Sequence, residues 1–573
     1  MSSAKHHYEA SFAEAFARLN PSQRLAVNKI EGPVLVVAGP GTGKTQMLAA
    51  RIGRILQTTD TRAANILCLT FTEAAVHAMR SRLLQWIGPE AHHVHIFTYH
   101  AFANKVIQEN LHYFGFSDLR PLTELEQLSI LRSLIEEKPM DHPLRKGKHD
   151  LYFFVPYLRH LFALMQRENW SVERCLAGID KFLDSLPERP EYVYQRRHGQ
   201  HQKGELKPGE VAKAEEQMER LRAGVNLFEA YQTKKQQLRV YDFADMLQWV
   251  LEAFAKHPNL LRRYQEQYLY LLVDEYQDTN GAQNALLQQL IDYWEAPNIF
   301  VVGDDDQSVF EFQGARLKNL LDLSQQYADQ LQTILLSTNY RSGQALLDAA
   351  SHLIGHNELR LTQHLQLNKK LVAAKDIQGP VPQLWEIPTV DEEVFHVADA
   401  LMAWHEKGRP WEEMAVLYAK HRQVEPLLRI LDQRGIPYQT RRRINLLDED
   451  FIIQIRQLLE FVASRATQQA VEDRHLFQIL HLPFWGITPR DLARLAVHQR
   501  QQRGMPEAVS WEALLWDLPI GLTLENPEAL ERAVQYLDVL TQLAATHSPL
   551  AVLEQLINRS GLLVWLSDHP DRL

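Results

Sequence analysis

The chain has 573 residues, 45% of them hydrophobic, and a formal net charge of -10. That length calls for roughly three or four packed domains, and the charge excludes a uniformly basic nucleic-acid coat, so a polyanion would have to be held in local grooves. Two cysteines without CxxC spacing, Cys68 and Cys175, exclude a zinc ribbon, an iron–sulfur cluster or a disulfide framework built from this chain alone.

The N-terminal MSSAKHHYEASFAEAF has no apolar signal core, and no run of about 18 apolar residues occurs, which predicts no membrane span and a reducing, cytoplasmic setting. Six short apolar runs follow: Val34–Ala38, Ile66–Thr70, Val94–Thr98, Leu269–Val273, Ile299–Val302 and Thr333–Leu336. Each is continuously apolar and bounded by turn or polar residues, as strands buried on both faces of a parallel sheet are. Amphipathic patterns lie between them, with Leu48, Ile52, Ile55 and Leu56 after the first run and Ala74, Ala75, Ala78 and Met79 after Thr72. Alternating strand and helix predicts a doubly wound α/β core.

The first run leads into AGPGTGKT, Ala38–Thr45 (Ala38, Gly39, Pro40, Gly41, Thr42, Gly43, Lys44, Thr45). Glycines let backbone N–H groups turn inward around phosphate oxygens, and the following helix N-terminus favours negative charge. Lys44 would reach the β- and γ-phosphates of a nucleotide, and the Thr45 hydroxyl would ligate Mg²⁺. The fourth run leads into VDEYQD, where Asp274 is placed to hold the Mg²⁺ shell and Glu275 to polarise an attacking water. Far more chain separates Lys44 from Asp274 than a minimal nucleotide-binding fold needs, which argues against a small GTPase or a nucleoside kinase. The inserted stretch reads as helices, with Thr123 and Glu126 spaced as a capping box, and Gln195–Lys213 reads as an exposed polar loop.

Beyond 336 a second α/β segment is expected, with strands at Pro382–Ile387 and Met414–Ala419 and a helix at Glu392–Trp404 between them. From 446 the pattern is helical again, and Thr488-Pro489, Asn526-Pro527 and Ser548-Pro549 each pair a capping residue with proline at the first helical position.

Six strings fall in one order: LNPSQRLAV (Leu19–Val27) and LTFTEAA (Leu69–Ala75) flank the phosphate loop, then come IFTYHAF (Ile96–Phe102), VDEYQD, VVGDDDQSVFEFQGA (Val301–Ala315) and LSTNYRS (Leu336–Ser342). This series resembles the UvrD/Rep/RecB-type superfamily 1 DNA helicases over essentially the whole chain. The resemblance implies a P-loop NTPase, RecA-like fold of parallel sheets with helical insertion domains. The first motor domain would occupy 1–110 and 241–335, a helical insertion 111–240, a partial second motor domain 336–445, and a truncated helical insertion 446–573.

It also implies ATP and Mg²⁺ as cofactors, with Gln23 on the adenine edge, Gln307 sensing the γ-phosphate, Tyr340 stacked on the adenine ring and Arg341 reaching the γ-phosphate. Thr70, Phe71, Thr72, Tyr99, His100 and Phe312 match the family's single-strand contacts. Arg441, Arg442 and Arg443 form the densest positive cluster, read either as a phosphate contact or as a solvated strand end.

Three departures stand out. Gln46 occupies the place of an arginine, Phe312-Gln313 replaces Trp-Arg, and the family's later motifs do not occur before Leu573. A fragment of a longer protein is the expectation. The implied activity is an ATP-dependent helicase or translocase on single-stranded or partly duplex DNA, moving 3′ to 5′, in repair or recombination, with a nuclease or repair protein as partner. The alternatives are an ATP-gated binding or scaffold module and the motor part of a helicase–nuclease.

Overall fold

The computed structural model describes residues 2–115, 119–145, 150–196, 201–308, 317–357, 367–374, 379, 381–440, 447, 450–467, 473–502, 510–518 and 522–568. The chain divides into two compact units, Met1–Leu384 and Trp385–Leu573, so the expected boundary at 335/336 falls inside the first.

The strands of the first unit are β1 Val34–Ala38, β2 Ile66–Thr70, β3 His95–Thr98, β4 Arg120–Pro121, β5 Val240–Tyr241, β6 Tyr270–Val273, β7 Ile299–Gly303, β8 Gln332–Leu336, β9 Thr338–Asn339 and β10 Val372–Ala373. Six form one parallel sheet in the order β3-β2-β6-β7-β1-β8. All six apolar runs of the sequence are these strands.

The alternation of each strand divides its side chains between two cores. Val34, Val36, Ile66, Cys68, Leu272 and Val302 pack under the helices Pro21–Asn28, Lys44–Thr58 and Glu73–Ile87. Leu35, Val37, Leu67, Leu69, Val273 and Val301 pack against the helices Tyr99–Glu109, Phe243–Lys256 and Gly281–Ile291. Burial on both faces is why the inner strands β1, β2, β6 and β7 show no polar alternation, while the edge strands β3 and β8 are less completely buried.

The insertion is helical, with its own core around Leu131, Leu134, Leu158, Phe162 and Tyr231. Its first helix, Glu124–Glu136, begins at the Thr123/Glu126 capping box. The short β4–β5 ladder closes its base, so the chain enters and leaves side by side. Residues 208–213, expected in a loop, open the helix Pro208–Val225, with proline in the first turn where a missing N–H costs nothing.

In the second unit, the helices Val390–Glu406 and His421–Gln433 share a small core through Val394, Ala398, Leu427 and Leu431. A larger helical core gathers Leu458, Phe461, Leu480, Leu495, Leu530 and Leu537. Helices start at Pro489, Pro527 and Pro549 as expected. The strands expected at Pro382–Ile387 and Met414–Ala419 are a correction: neither run has a ladder partner among the described residues, and Leu384 and Leu417 are more than nine-tenths exposed. Apolar, β-prone sequence makes a strand only when a neighbour takes up its backbone hydrogen bonds.

Candidate functional site

Parallel strands end on the same edge of a sheet, and β6, β7, β1 and β8 are consecutive neighbours. Their carboxyl ends therefore deliver Asp274, Asp304, the 39–43 loop and the Ser337–Arg341 segment to one place, the location where open α/β sheets bind ligands.

The loop from Gly39 to Gly43 turns through two left-handed glycines, Gly41 (φ 65°) and Gly43 (φ 80°), and enters the helix that begins at Lys44. Thr42 is buried and its hydroxyl donates to the Gly39 carbonyl at 2.7 Å, which closes the loop on itself. Thr45 lies in the first helical turn, and Ala38 ends the buried strand. Gln23, held by a reciprocal capping box with Asn20, donates from Nε2 to the Thr42 carbonyl at 2.8 Å.

On the opposite side, β9 carries Asn339, which donates to the Pro40 carbonyl at 2.6 Å and accepts from the Arg341 and Ser342 N–H groups at 2.7 Å. The Tyr340 N–H donates to the Gly41 carbonyl at 2.8 Å, and its hydroxyl accepts from Asn20 Nδ2 at 2.9 Å. A Cβ added to Gly41 would lie 2.7 Å from the Cβ of Arg341. Gln23, the loop, Tyr340 and Arg341 thus form one hydrogen-bonded cluster. Asn339, which ties it together, was not singled out from the sequence, although an Asn before Tyr-Arg at a strand end is a natural turn former.

Lys44 Nζ and Glu275 Oε2 are 2.8 Å apart. Glu275 takes a left-handed backbone (φ 48°), a costly conformation for a non-glycine residue and one that clusters at functional sites. Asp274 is buried, its N–H bonded to the Leu69 carbonyl. Burial first, then the neighbouring Glu275, push its carboxyl up to about 7, with Lys44 opposing. Asp278 is pushed up to about 6 by the same causes in the same order, and its buried Oδ1 has no hydrogen-bond partner. Three carboxylates thus surround one ammonium. An oxygen donor set with surplus negative charge and an orphaned buried oxygen fits a hard divalent cation.

Gln277 is a second residue that sequence reasoning missed. Its Nε2 donates to Glu275 Oε2 at 2.9 Å, and its Oε1 accepts from the Asp304 N–H at 2.9 Å. Gln307 in turn donates to the Asp304 carboxylate. The expected γ-phosphate sensor is thereby wired to the expected general base through Asp304 and Gln277.

The expected single-strand contacts divide. Thr72 caps the helix Glu73–Ile87 and is exposed, Phe71 is half-buried, and His100 is half-buried with its ring edge-on to Phe243 at 6.4 Å. Burial holds the His100 imidazole below its usual range, toward the neutral form. Phe243 was not foreseen; it is 70% exposed at the start of a helix. Tyr99 corrects the expectation, because its ring is buried in the sheet core and offers no face to a strand, while the Thr70 side chain is buried with its hydroxyl donating to the Thr72 carbonyl. Phe312 and Arg441–Arg443 lie outside the described residues. Among the described residues no helix is long and apolar enough to cross a membrane.

Residues 19–328 match the UvrD/REP helicase N-terminal domain, and residues 334–506 match the UvrD-like helicase C-terminal domain. The chain is similar to the ATP-dependent DNA helicase PcrA of Staphylococcus epidermidis, at 26% identity over 484 residues, covering 84% of this chain and 58% of that protein. It is similar to PcrA of Staphylococcus aureus at 25% over 478 residues, 83% of this chain and 57% of that one. The chain therefore spans somewhat over half the length of these relatives. With a family match over more than half its residues and the nucleotide cluster assembled as described, the chain belongs to the UvrD/REP helicase family.

Proposed function

We propose that the chain is the ATP-hydrolysing motor of a DNA helicase, gripping single-stranded DNA and moving 3′ to 5′ in repair or recombination. The observation that carries this reading is the Lys44–Glu275 pair at the foot of a loop bridged by Asn339 to the Tyr340–Arg341 turn. The PcrA relatives, named as ATP-dependent DNA helicases, add support.

In this reading the Gly39–Gly43 backbone N–H groups and Lys44 hold the phosphates, while Gln23 and the Tyr340 ring bracket the adenine. Thr45 and Asp274 would hold Mg²⁺, which would neutralise charge on the phosphate oxygens. Glu275 accepts a proton from the attacking water, its carboxylate held by Lys44 and Gln277. Arg341 supplies positive charge to the transferring phosphoryl group, a task for which a fixed guanidinium is suited. Gln307, bonded through Asp304 and Gln277 to Glu275, reports the γ-phosphate to the base. Phe71, Thr72, His100 and Phe312 contact the strand; stacking without base-edge reading makes such binding indifferent to sequence.

The test is ATP turnover with and without single-stranded DNA, repeated in Lys44→Ala. DNA-stimulated turnover that falls by about 10²–10³ in the variant is expected, the size of losing one positioned electrostatic stabiliser. Nucleotide binding without any stimulation by DNA would overturn the motor reading in favour of an ATP-gated scaffold.

A further inference from the structure

The segment 367–374 crosses the nucleotide site and has no part in the mechanism above. Its strand β10 pairs with β9, the Val372 N–H donating to the Ser337 carbonyl at 2.9 Å. Gln344 fixes it further, donating to the Leu371 carbonyl at 3.2 Å and accepting from the Ala373 N–H at 2.9 Å. The Leu371 side chain packs directly on Gly39 of the phosphate loop. Two residues earlier, Lys369 drives its side chain into the turn after β7. Its ammonium meets the carboxylates of Asp304, of Asp306 at 2.8 Å and of Asp305 at 3.2 Å, and only 2% of the side chain is exposed.

Three adjacent aspartates whose oxygens lie within 4.8 Å of one another have the form of a cation site. Here the cation is part of the chain. Asp304 already accepts from Gln307 and from the Asp306 N–H at 3.2 Å, and its own N–H is held by Gln277. A buried carboxylate stripped of its counter-charge takes up a proton, and in doing so gives up part of its capacity to accept. Removing the ammonium would therefore loosen the Gln307 bond to the Asp304 carboxylate directly, and would free the turn whose Asp304 N–H is held by Gln277.

We propose that Lys369 is a positioning residue whose buried ammonium locks the Asp304–Gln307 turn, and through Asp304, Gln277 and Glu275 the γ-phosphate end of the site, so that it governs discrimination of a nucleoside triphosphate from a diphosphate. The inference rests on the reading of this pocket as an ATP site, and it adds a residue and a task that this reading did not contain. The strap also joins the three walls of the site, because one short segment touches the Asp304 turn, the phosphate loop and the strand leading to Tyr340 and Arg341.

The experiment compares the full chain with Lys369→Met and Lys369→Arg. Affinities for ADP and for ATPγS are measured by competition against a fluorescent ADP, and kcat and KM for ATP are measured with single-stranded DNA present. In Lys369→Met, ADP affinity should stay within about threefold while the preference for ATPγS over ADP falls by about tenfold, and kcat should fall more than KM changes. Lys369→Arg keeps the charge and should recover most of the preference. An unchanged preference in Lys369→Met, or equal losses for both nucleotides, would overturn the proposal. If Lys369→Met does not fold, Asp306→Asn at the rim of the cluster should shift the preference the same way by a smaller factor, and no shift would again overturn it. Failure of the motor reading shows separately, as unmodified chain that binds both nucleotides but is not stimulated by DNA; the preference measurement stands apart from that result.

Discussion

Gly41 has no room for a side chain. Its left-handed backbone disfavours any L-residue, and the Cβ of Arg341 occupies the space that a methyl group would need. Gly41→Ala should lower nucleotide affinity by at least about tenfold while leaving the sheet intact, because backbone strain of this kind costs about 1–3 kcal/mol; a fluorescent-ADP titration and a far-UV spectrum would check both halves. Asp274 makes a second prediction at this scale. Its folded carboxyl is pushed up to about 7, chiefly by burial, well above the ordinary carboxylate range. The stability that its protonated form contributes is therefore full at acid pH and is lost as pH rises through that value. A bound cation selects the ionised form, so Mg²⁺–ADP should raise the melting temperature more at about pH 8 than at about pH 6. Asp274→Asn should flatten that profile; a variant that keeps the full pH-dependent gain would show that another carboxylate carries it.

At the scale of elements, the seam between the helical insertion and the sheet is fixed by Lys235. Its ammonium is buried against Asp242 at 2.9 Å and Asp245 at 2.6 Å, and Asp245 also accepts from Gln166 at 2.6 Å. The three helices Val155–Arg167, Phe228–Gln237 and Phe243–Lys256 meet on those bonds. Lys235→Met leaves two carboxylates facing each other in a dry seam and should cost about 3–5 kcal/mol, the usual penalty for breaking a buried pair; urea unfolding would report it, and a loss under about 1 kcal/mol would show that the seam is held by packing instead. These elements also mark what could be read in advance. The four inner strands of the sheet were legible because a strand buried on both faces is apolar throughout, and the helix starts at Thr123, Asn526 and Ser548 because capping is a local bond. The Lys44, Glu275 and Tyr340–Arg341 cluster was legible through motif order. Gln277, Asn339 and Lys369 were not, since each acts through a partner far along the chain and a lone polar residue carries no sign of that distance. Tyr99 was misjudged for the opposite reason: an aromatic at a strand end looks the same whether it faces solvent or the core.

At the scale of the molecule, the nucleotide cluster lies wholly within Met1–Leu384, whereas Trp385–Leu573 is organised around two cores of its own. In the second unit the helix Asp450–Ala466 is pinned by Arg465, which bonds Glu512 at 2.7 Å and Asp538 at 2.6 Å and lies 3.9 Å over the Trp516 ring. The described nucleotide cluster belongs to the first unit, so stabilisation by nucleotide is expected to enter there. A ligand stabilises what it binds by about RT ln(1 + [L]/Kd), so ADP at about a hundred times its Kd should add about 2.7 kcal/mol to that unit. Calorimetry of the full chain should accordingly show two unfolding transitions, of which Mg²⁺–ADP raises one and leaves the other in place. Arg465→Ala should lower only the transition that ADP does not move, because it strips the bonds to Glu512 and Asp538 from the core of the second unit. A single transition that shifts as a whole with ADP would mean that the two cores unfold as one cooperative body, and the nucleotide energy would then have to be counted across the entire chain.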